Sequence, residues 1–81
     1  MQKTEIVLSN VKDVRDFVNM VIMIGYDVDL MQGKYVIDAK SVMGIFALDL
    51  MTPITVVAHS NNTSEFFEKL ERFKRKDSPA N

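Results

Sequence analysis

Few residues in this chain have side chains suited to chemistry, and Ser41 is the best placed of them. It lies in the run Asp38-Ala39-Lys40-Ser41-Val42-Met43-Gly44-Ile45-Phe46-Ala47-Leu48. That order puts a hydroxyl at the start of a short helix and an apolar ridge just behind it. A serine there is an N-cap, worth ~0.5–2 kcal/mol. It is also a favourable place for a phosphate, which would bring roughly −1.5 to −2 charge to the positive end of a helix dipole and to unpaired N–H groups. Lys40 could assist. Val42, Met43 and Phe46 form the ridge at i, i+1 and i+4, while Ile45 and Leu48, with Leu50 beyond, take the core-facing side. Methionine and phenylalanine suit a contact surface, being polarisable or aromatic and enriched at interfaces. The competing readings are that the ridge packs inward or joins two copies of the chain.

The other candidates are weaker. His59 is the sole histidine, and it falls at the far end of the last expected strand with no arginine or proline beside it, so a half-exposed strand-end histidine is expected. Asp27, Asp29 and Asp38 could be imagined as a cation site, but alternate positions on the wet face of a strand explain the first two. No metal site is therefore expected. There is no cysteine, which removes disulfides, thiolate catalysis and thiolate metal sites and fits a cytoplasmic protein. Lys74-Arg75-Lys76 reads as a solvated basic run at a helix C-terminus, where the dipole favours cations.

Bulk composition narrows the class further. The 81 residues are 47% hydrophobic and 26% charged, the balance of an ordinary globular domain. A chain of this size buries roughly 60–65% of its unfolded surface, so its core is modest. A formal charge of -1 gives no electrostatic reason to expect nucleic acid or an anionic membrane. Residues 1–8 lack the apolar stretch of a secretory leader. The longest apolar run, Met20 to Ile24, is far below the ~20 residues that span a bilayer. RNA recognition on a sheet needs exposed aromatics on central strands, and Tyr26 and Tyr35 are the only candidates.

Periodicity supplies the elements that must position these residues. Residues 2–8 read as a strand, ending in Ile6-Val7-Leu8. Ser9-Asn10 offers an N-cap, and Asp13 adds charge where the dipole favours it. Val14, Phe17, Val18 and Val21 then make one buried helical face, closed by Gly25 as a left-handed C-cap. Tyr26-Asp27-Val28-Asp29-Leu30 alternates as a strand with one wet face. Gln32-Gly33-Lys34 is a tight turn, and Tyr35 to Asp38 is the returning strand. Ser41 to about Leu48 is a short helix, Thr52-Pro53 a break, and Ile54 to Ala58 a further strand. Asn62-Thr63-Ser64-Glu65 opens the last helix in a capping-box-like pattern. Its core face is Phe66, Phe67, Leu70 and Phe73, and its outer face pairs Glu65 with Lys69, Glu68 with Arg72 and Glu71 with Arg75. The order β-α-β-β-α-β-α predicts an α+β fold, an open-faced β-sandwich with one four-stranded antiparallel sheet and three helices on one face. Residues 1–76 form a single domain in this reading, and 77–81 a loose tail.

This order, the hairpin turn Gly33-Lys34, and above all Lys40-Ser41-Val42-Met43-Gly44-Ile45 followed by Leu48 and Leu50 resemble HPr, the histidine-containing phosphocarrier family of the bacterial sugar phosphotransferase system. The likeness runs from about Gly25 to Arg72, with a similar first strand at Lys3 to Leu8. In that family the first helix opens with a Gly-x-His-Ala-Arg-Pro loop, whose histidine accepts a phosphoryl group and passes it on. Here the strand runs through Ser9-Asn10-Val11-Lys12-Asp13 straight into the helix. Asn10 falls near the histidine's place and Lys12 near the arginine's, and the proline is missing. An asparagine amide is no nucleophile at phosphorus. Asp49 stands where relatives usually carry glycine.

The resemblance implies a divergent member without phosphocarrier chemistry: a non-catalytic docking or regulatory module of a bacterial cytoplasm, with no cofactor. Ser41 matches the family's second phosphorylation position, which a dedicated serine kinase modifies in many relatives. Val42, Met43 and Phe46 match a ridge that docks partner proteins. The other readings are a working phosphocarrier with a different acceptor, such as His59, and a self-associating α/β module unconnected with sugar transport.

Overall fold

A computed structural model describes residues 1–74. The elements are β1 (Gln2–Ile6), α1 (Val11–Met23), β2 (Val28–Gln32), β3 (Tyr35–Asp38), α2 (Val42–Phe46), β4 (Ile54–Ala58) and α3 (Ser64–Lys69), which continues as a 3-10 turn over Leu70–Phe73. The four strands form one sheet in the order β1-β4-β2-β3. Every neighbouring pair is antiparallel. Both the open antiparallel sheet and the three helices match the expected α+β architecture. The expected tail, with the cations Arg75 and Lys76, lies outside the described residues.

Strand alternation sorts the sheet into two faces. Ile6, Val28, Leu30, Ile54, Val56 and Ala58 point inward and are buried. The helices bring Val14, Phe17, Val18 and Val21 from α1, Ile45 from α2, and Phe66, Leu70 and Phe73 from the last helix onto that face. Phe17 and Phe73 meet edge to face, with ring centroids 6.2 Å apart, the geometry favoured by the aromatic quadrupole. The other face carries Lys3, Glu5, Asp29, Met31, Val36, Asp38, Thr55 and Val57. Val57 lies between Lys3 and Asp29 in the strand register and is buried there.

Two glycines hold the left-handed conformation that their positions demand. Gly25 has φ 65° just past α1, and Gly33 has φ 59° in the two-residue hairpin turn. Any Cβ would be strained there.

Element ends differ from the sequence reading for identifiable reasons. β1 stops at Ile6 rather than Leu8 because the Val7 N–H leaves the ladder and donates to the Phe73 carbonyl at 2.7 Å. β2 begins at Val28 rather than Tyr26, whose ring turns to meet Phe66 edge-on at 6.1 Å. α2 ends at Phe46 rather than Leu48. There the Ala47 and Leu48 N–H groups bond three residues back, at 3.1 and 3.0 Å, tightening the last turn and tucking Leu48 inside. The expected cap of the last helix is also altered: the Thr63 hydroxyl donates to the Gln2 side chain on β1 and makes no cap bond.

The outer face of the last helix is a further correction. Among the described residues neither Glu65–Lys69 nor Glu68–Arg72 forms an ion pair; Glu71–Arg75 lies partly outside them. Arg72 instead reaches Asp16 on α1 at 3.0 Å, where Lys12 also pairs at 2.8 Å. A tertiary carboxylate flanked by two cations outcompetes an i,i+4 pair worth only ~0.2–0.5 kcal/mol. The Lys12 hydrogen bond is the largest influence on the Asp16 carboxyl and, with the charges of Lys12 and Arg72 and the Arg72 hydrogen bond, holds it below its usual range although desolvation opposes them.

A depressed carboxylate pKa stabilises the fold above the unfolded value, about 4, and that contribution disappears as pH falls through the folded value. Asp16→Asn is therefore expected to melt below wild type at neutral pH. Thermal unfolding followed by circular dichroism should show the gap closing in the acid range below about pH 4. An equal gap at both pH values would contradict this role.

Candidate functional site

The short helix α2 and its flanks bring together Ser41, Val42, Met43 and Phe46. The Ser41 Oγ accepts from the Gly44 N–H at 3.1 Å, capping the helix as its sequence position demands. Gly44 makes this possible by lacking a side chain. A Cβ there would lie 2.9 Å from the Ser41 Oγ and 3.2 Å from the Ile37 side chain of β3, distances at which one group must move. The helix thus sits tight on β3, with Ile45 fully buried beneath it.

Seating α2 in this way leaves its outer side uncovered. Val42 is 40% exposed, Met43 83% and Phe46 44%. Among the described residues the ridge is exposed, Met43 most fully, while Val42 and Phe46 are partly covered. Met51, just beyond the helix, is exposed as well. Large apolar side chains clustered on a surface gain nothing from folding, and such clusters mark contact sites more often than scattered exposure does.

The turn that ends this segment is held by Gln32, a residue to which no sequence motif points. Its Nε2 donates to the Asp49 carbonyl at 2.7 Å and to the Thr52 Oγ at 2.9 Å. Its Oε1 accepts from the Asp49 N–H at 2.7 Å. The side-chain amide so pairs with both backbone groups of one residue, as a strand neighbour would. Asp49 itself accepts from the Met51 N–H at 3.0 Å. This explains how an aspartate serves where glycine stands in the resembled family: its backbone stays out of the left-handed region, and its carboxylate caps the turn. A lone glutamine at a strand end gives no signal of this role, because its partner is 17 residues away.

The remaining sequence candidates lie apart. The Asn10 Oδ1 accepts from the Asp13 N–H at 2.8 Å as the N-cap of α1, and the Asp13 carboxylate accepts in return from the Ser9 N–H at 2.9 Å. Lys12 is engaged by Asp16. His59 follows β4 at the opposite end of the sheet from the start of α1, since Ala58 pairs with Gln2 and Ile54 with Ile6. Its Nε2 lies 2.8 Å from the Asp29 Oδ2, and its N–H donates to the Asp27 carbonyl at 2.9 Å. Asp29 also stands directly opposite Asp38 on β3, a like-charge pair. Among the described residues no group of His, Asp or Glu side chains is arranged to hold a metal ion. None of the described helices is long and apolar enough to cross a membrane.

An open-faced sheet in this strand order, with three helices on one side and a capped short helix after the hairpin, is the HPr fold. Neither a protein-family model nor a curated relative matches the sequence. The structure matches HPr-C-His from Thermoanaerobacter tengcongensis with a TM-score of 0.72 and 19% identity, over 86% of each chain. It matches a phosphocarrier protein HPr from Bacillus anthracis with a TM-score of 0.69 and 19% identity, over 91% of this chain and 96% of the other. At this identity the shared feature is the fold.

Gln32→Ala removes both directions of the amide clamp. Hydrogen bonds of this kind contribute ~0.5–1.5 kcal/mol each, so a loss of about 1–2 kcal/mol in stability is expected. Hydrogen exchange should speed up most at the Asp49 amide and reach into α2. Unchanged protection of that amide would show that Gln32 does not hold the turn.

Proposed function

We propose that this chain is an HPr-like protein without the phosphocarrier histidine. In this reading it is a non-catalytic docking or regulatory module of the bacterial cytoplasm, with Ser41 as its switch and Val42, Met43 and Phe46 as its contact. The observation that carries the proposal is the pairing of an exposed apolar ridge with a capping serine on one helix seated firmly on β3. A partner protein covering the ridge would bury apolar surface worth about 25 cal/mol per Å². A phosphate on Ser41 would place charge beside that contact, strengthening it against a basic partner and opposing it against an acidic one. A serine kinase is the implied modifying partner, and no cofactor is needed. Asn10 at the start of α1 supports the absence of histidine carrier chemistry, because its amide is spent on the helix cap.

One observation favours a second reading. The His59–Asp29 contact uses Nε2 and leaves the imidazole Nδ1 without a partner among the described residues, and an oriented ring nitrogen is a phosphoryl acceptor in chemical principle. Against it stand Asp27, Asp29 and Asp38, which would repel an incoming anionic donor. A homodimer through the ridge is the third arrangement.

Four measurements separate these readings. Met43→Asp should fold as wild type does, within about 0.5 kcal/mol, because the site is exposed, yet lose capture of the partner in a pull-down. A folding defect of ~2–5 kcal/mol would mark Met43 as core and remove the docking claim. Serine kinase and ATP should add one phosphate to wild type and none to Ser41→Ala; no gain on wild type, or the same gain on the variant, contradicts the switch. Phosphoenolpyruvate with the first enzyme of the phosphotransferase system should leave no acid-labile label, and label on nitrogen would establish the second reading. Size exclusion showing only a ridge-dependent dimer would establish the third.

A further inference from the structure

Helices α1 and α3 enclose a groove of about 740 Å³ on the helical side of the molecule. That volume lies within the roughly 300–1,000 Å³ typical of small-molecule clefts. The groove is built by a pattern that no sequence motif announces. Lys12, Asp16, Asn19, Met20 and Met23 lie along one stripe of α1, and Glu65, Phe66, Lys69 and Arg72 along the facing stripe of the last helix. The Arg72–Asp16 contact and the Tyr26–Phe66 ring contact show that the two helices run in opposite directions.

The lining has two chemically different ends. At one end Met23, 83% exposed, stands over half-buried Met20 and Ile24 and buried Phe66. At the other end the Arg72 guanidinium is fixed by Asp16 at 3.0 Å and stacks 4.9 Å over the Phe73 ring. Lys12 shares the same carboxylate. Lys69 lies one turn before Arg72 and forms no ion pair among the described residues. The lining sets three cations, Lys12, Lys69 and Arg72, against two carboxylates, Asp16 and Glu65, so it carries excess positive charge, concentrated at this end. Burial, and after it the charge of Glu65, raise the Tyr26 phenol pKa, which sets this second carboxylate of the lining near Tyr26 at the apolar end. It disfavours an anion there and sets one polarity for a bound molecule.

We propose that this groove is a binding site for an amphipathic organic anion, its apolar body against Met20, Met23 and Phe66 and its anionic group at Lys69 and Arg72. The methionines adapt to an apolar body of irregular shape. The fixed guanidinium and the free ammonium supply charge-assisted hydrogen bonds to the head. The site is separate from the α2 ridge and does not depend on the docking reading.

Anilinonaphthalene sulfonate, an aromatic body with one anionic head, is a direct probe. Titrated against the folded chain, it should give saturable one-to-one fluorescence enhancement. Amide NMR shifts should cluster on the second half of α1 and on the last helix. Lys69→Glu and Met23→Asp are both at exposed positions, so each should keep the wild-type circular dichroism spectrum. Each should weaken binding by about tenfold, Lys69→Glu by removing a charge-assisted contact to the head and Met23→Asp by placing a carboxylate against the apolar body. Met43→Asp on the α2 ridge should leave the affinity unchanged. Wild-type affinity in both groove variants, shifts centred on α2, loss of binding in Met43→Asp, or no saturable binding would each overturn the assignment.

Discussion

Strand β4 is the constraint on which the rest of the structure depends. It lies between β1 and β2 and satisfies hydrogen bonds on both. It is also the last strand made, so β1 waits for a partner about fifty residues away along the chain. Closing such a pairing costs chain entropy before any contact repays it. The return comes from Ile54, Val56 and Ala58, which are fully buried and complete the apolar face shared with β1 and β2. With that face in place, three helices have one surface to cover, and covering it settles where each must lie.

The helices cover it unequally, and the inequality makes the surfaces that matter. α1 lays a full apolar stripe on the sheet. α2 is only five residues long and contributes Ile45 with little else. A helix this short is not stable by itself. It is held by its serine cap, by the close approach that Gly44 permits, and by the Gln32 amide on the turn behind it. Its anchoring therefore comes from polar contacts and one buried side chain. Met43 is left almost wholly outside, with Val42 and Phe46 partly exposed beside it, as the ridge. A longer helix with a broader inward face would have hidden them.

The gap between α1 and the last helix arises from a related compromise. Phe17 and Phe73 pack these helices together at one end, while Tyr26 and Phe66 meet near the other. Between them Asp16 draws Arg72 and Lys12 across the surface. Charged side chains are kept at this boundary because water is close, and they leave an apolar floor unfilled behind them. The molecule so presents two surfaces of different character: an exposed apolar ridge on α2, and a cleft between α1 and the last helix lined by both apolar and charged side chains.

The sequence by itself determined the element order, both left-handed glycines, the caps at Asn10 and Ser41, and the inward faces of all three helices. These depend on neighbours a few residues apart, so periodicity and turn chemistry report them. The resemblance carried by the Ser41 segment also pointed to the fold the structure has. Only the tertiary structure decided where β1 ends, that Thr63 turns to Gln2, that Arg72 leaves Glu68 for Asp16, and that Gln32 grips Asp49. Each of these is a competition between a local partner and a distant one. The distant partner wins because folding has already brought it within hydrogen-bond reach, at a position that neither spacing nor composition encodes.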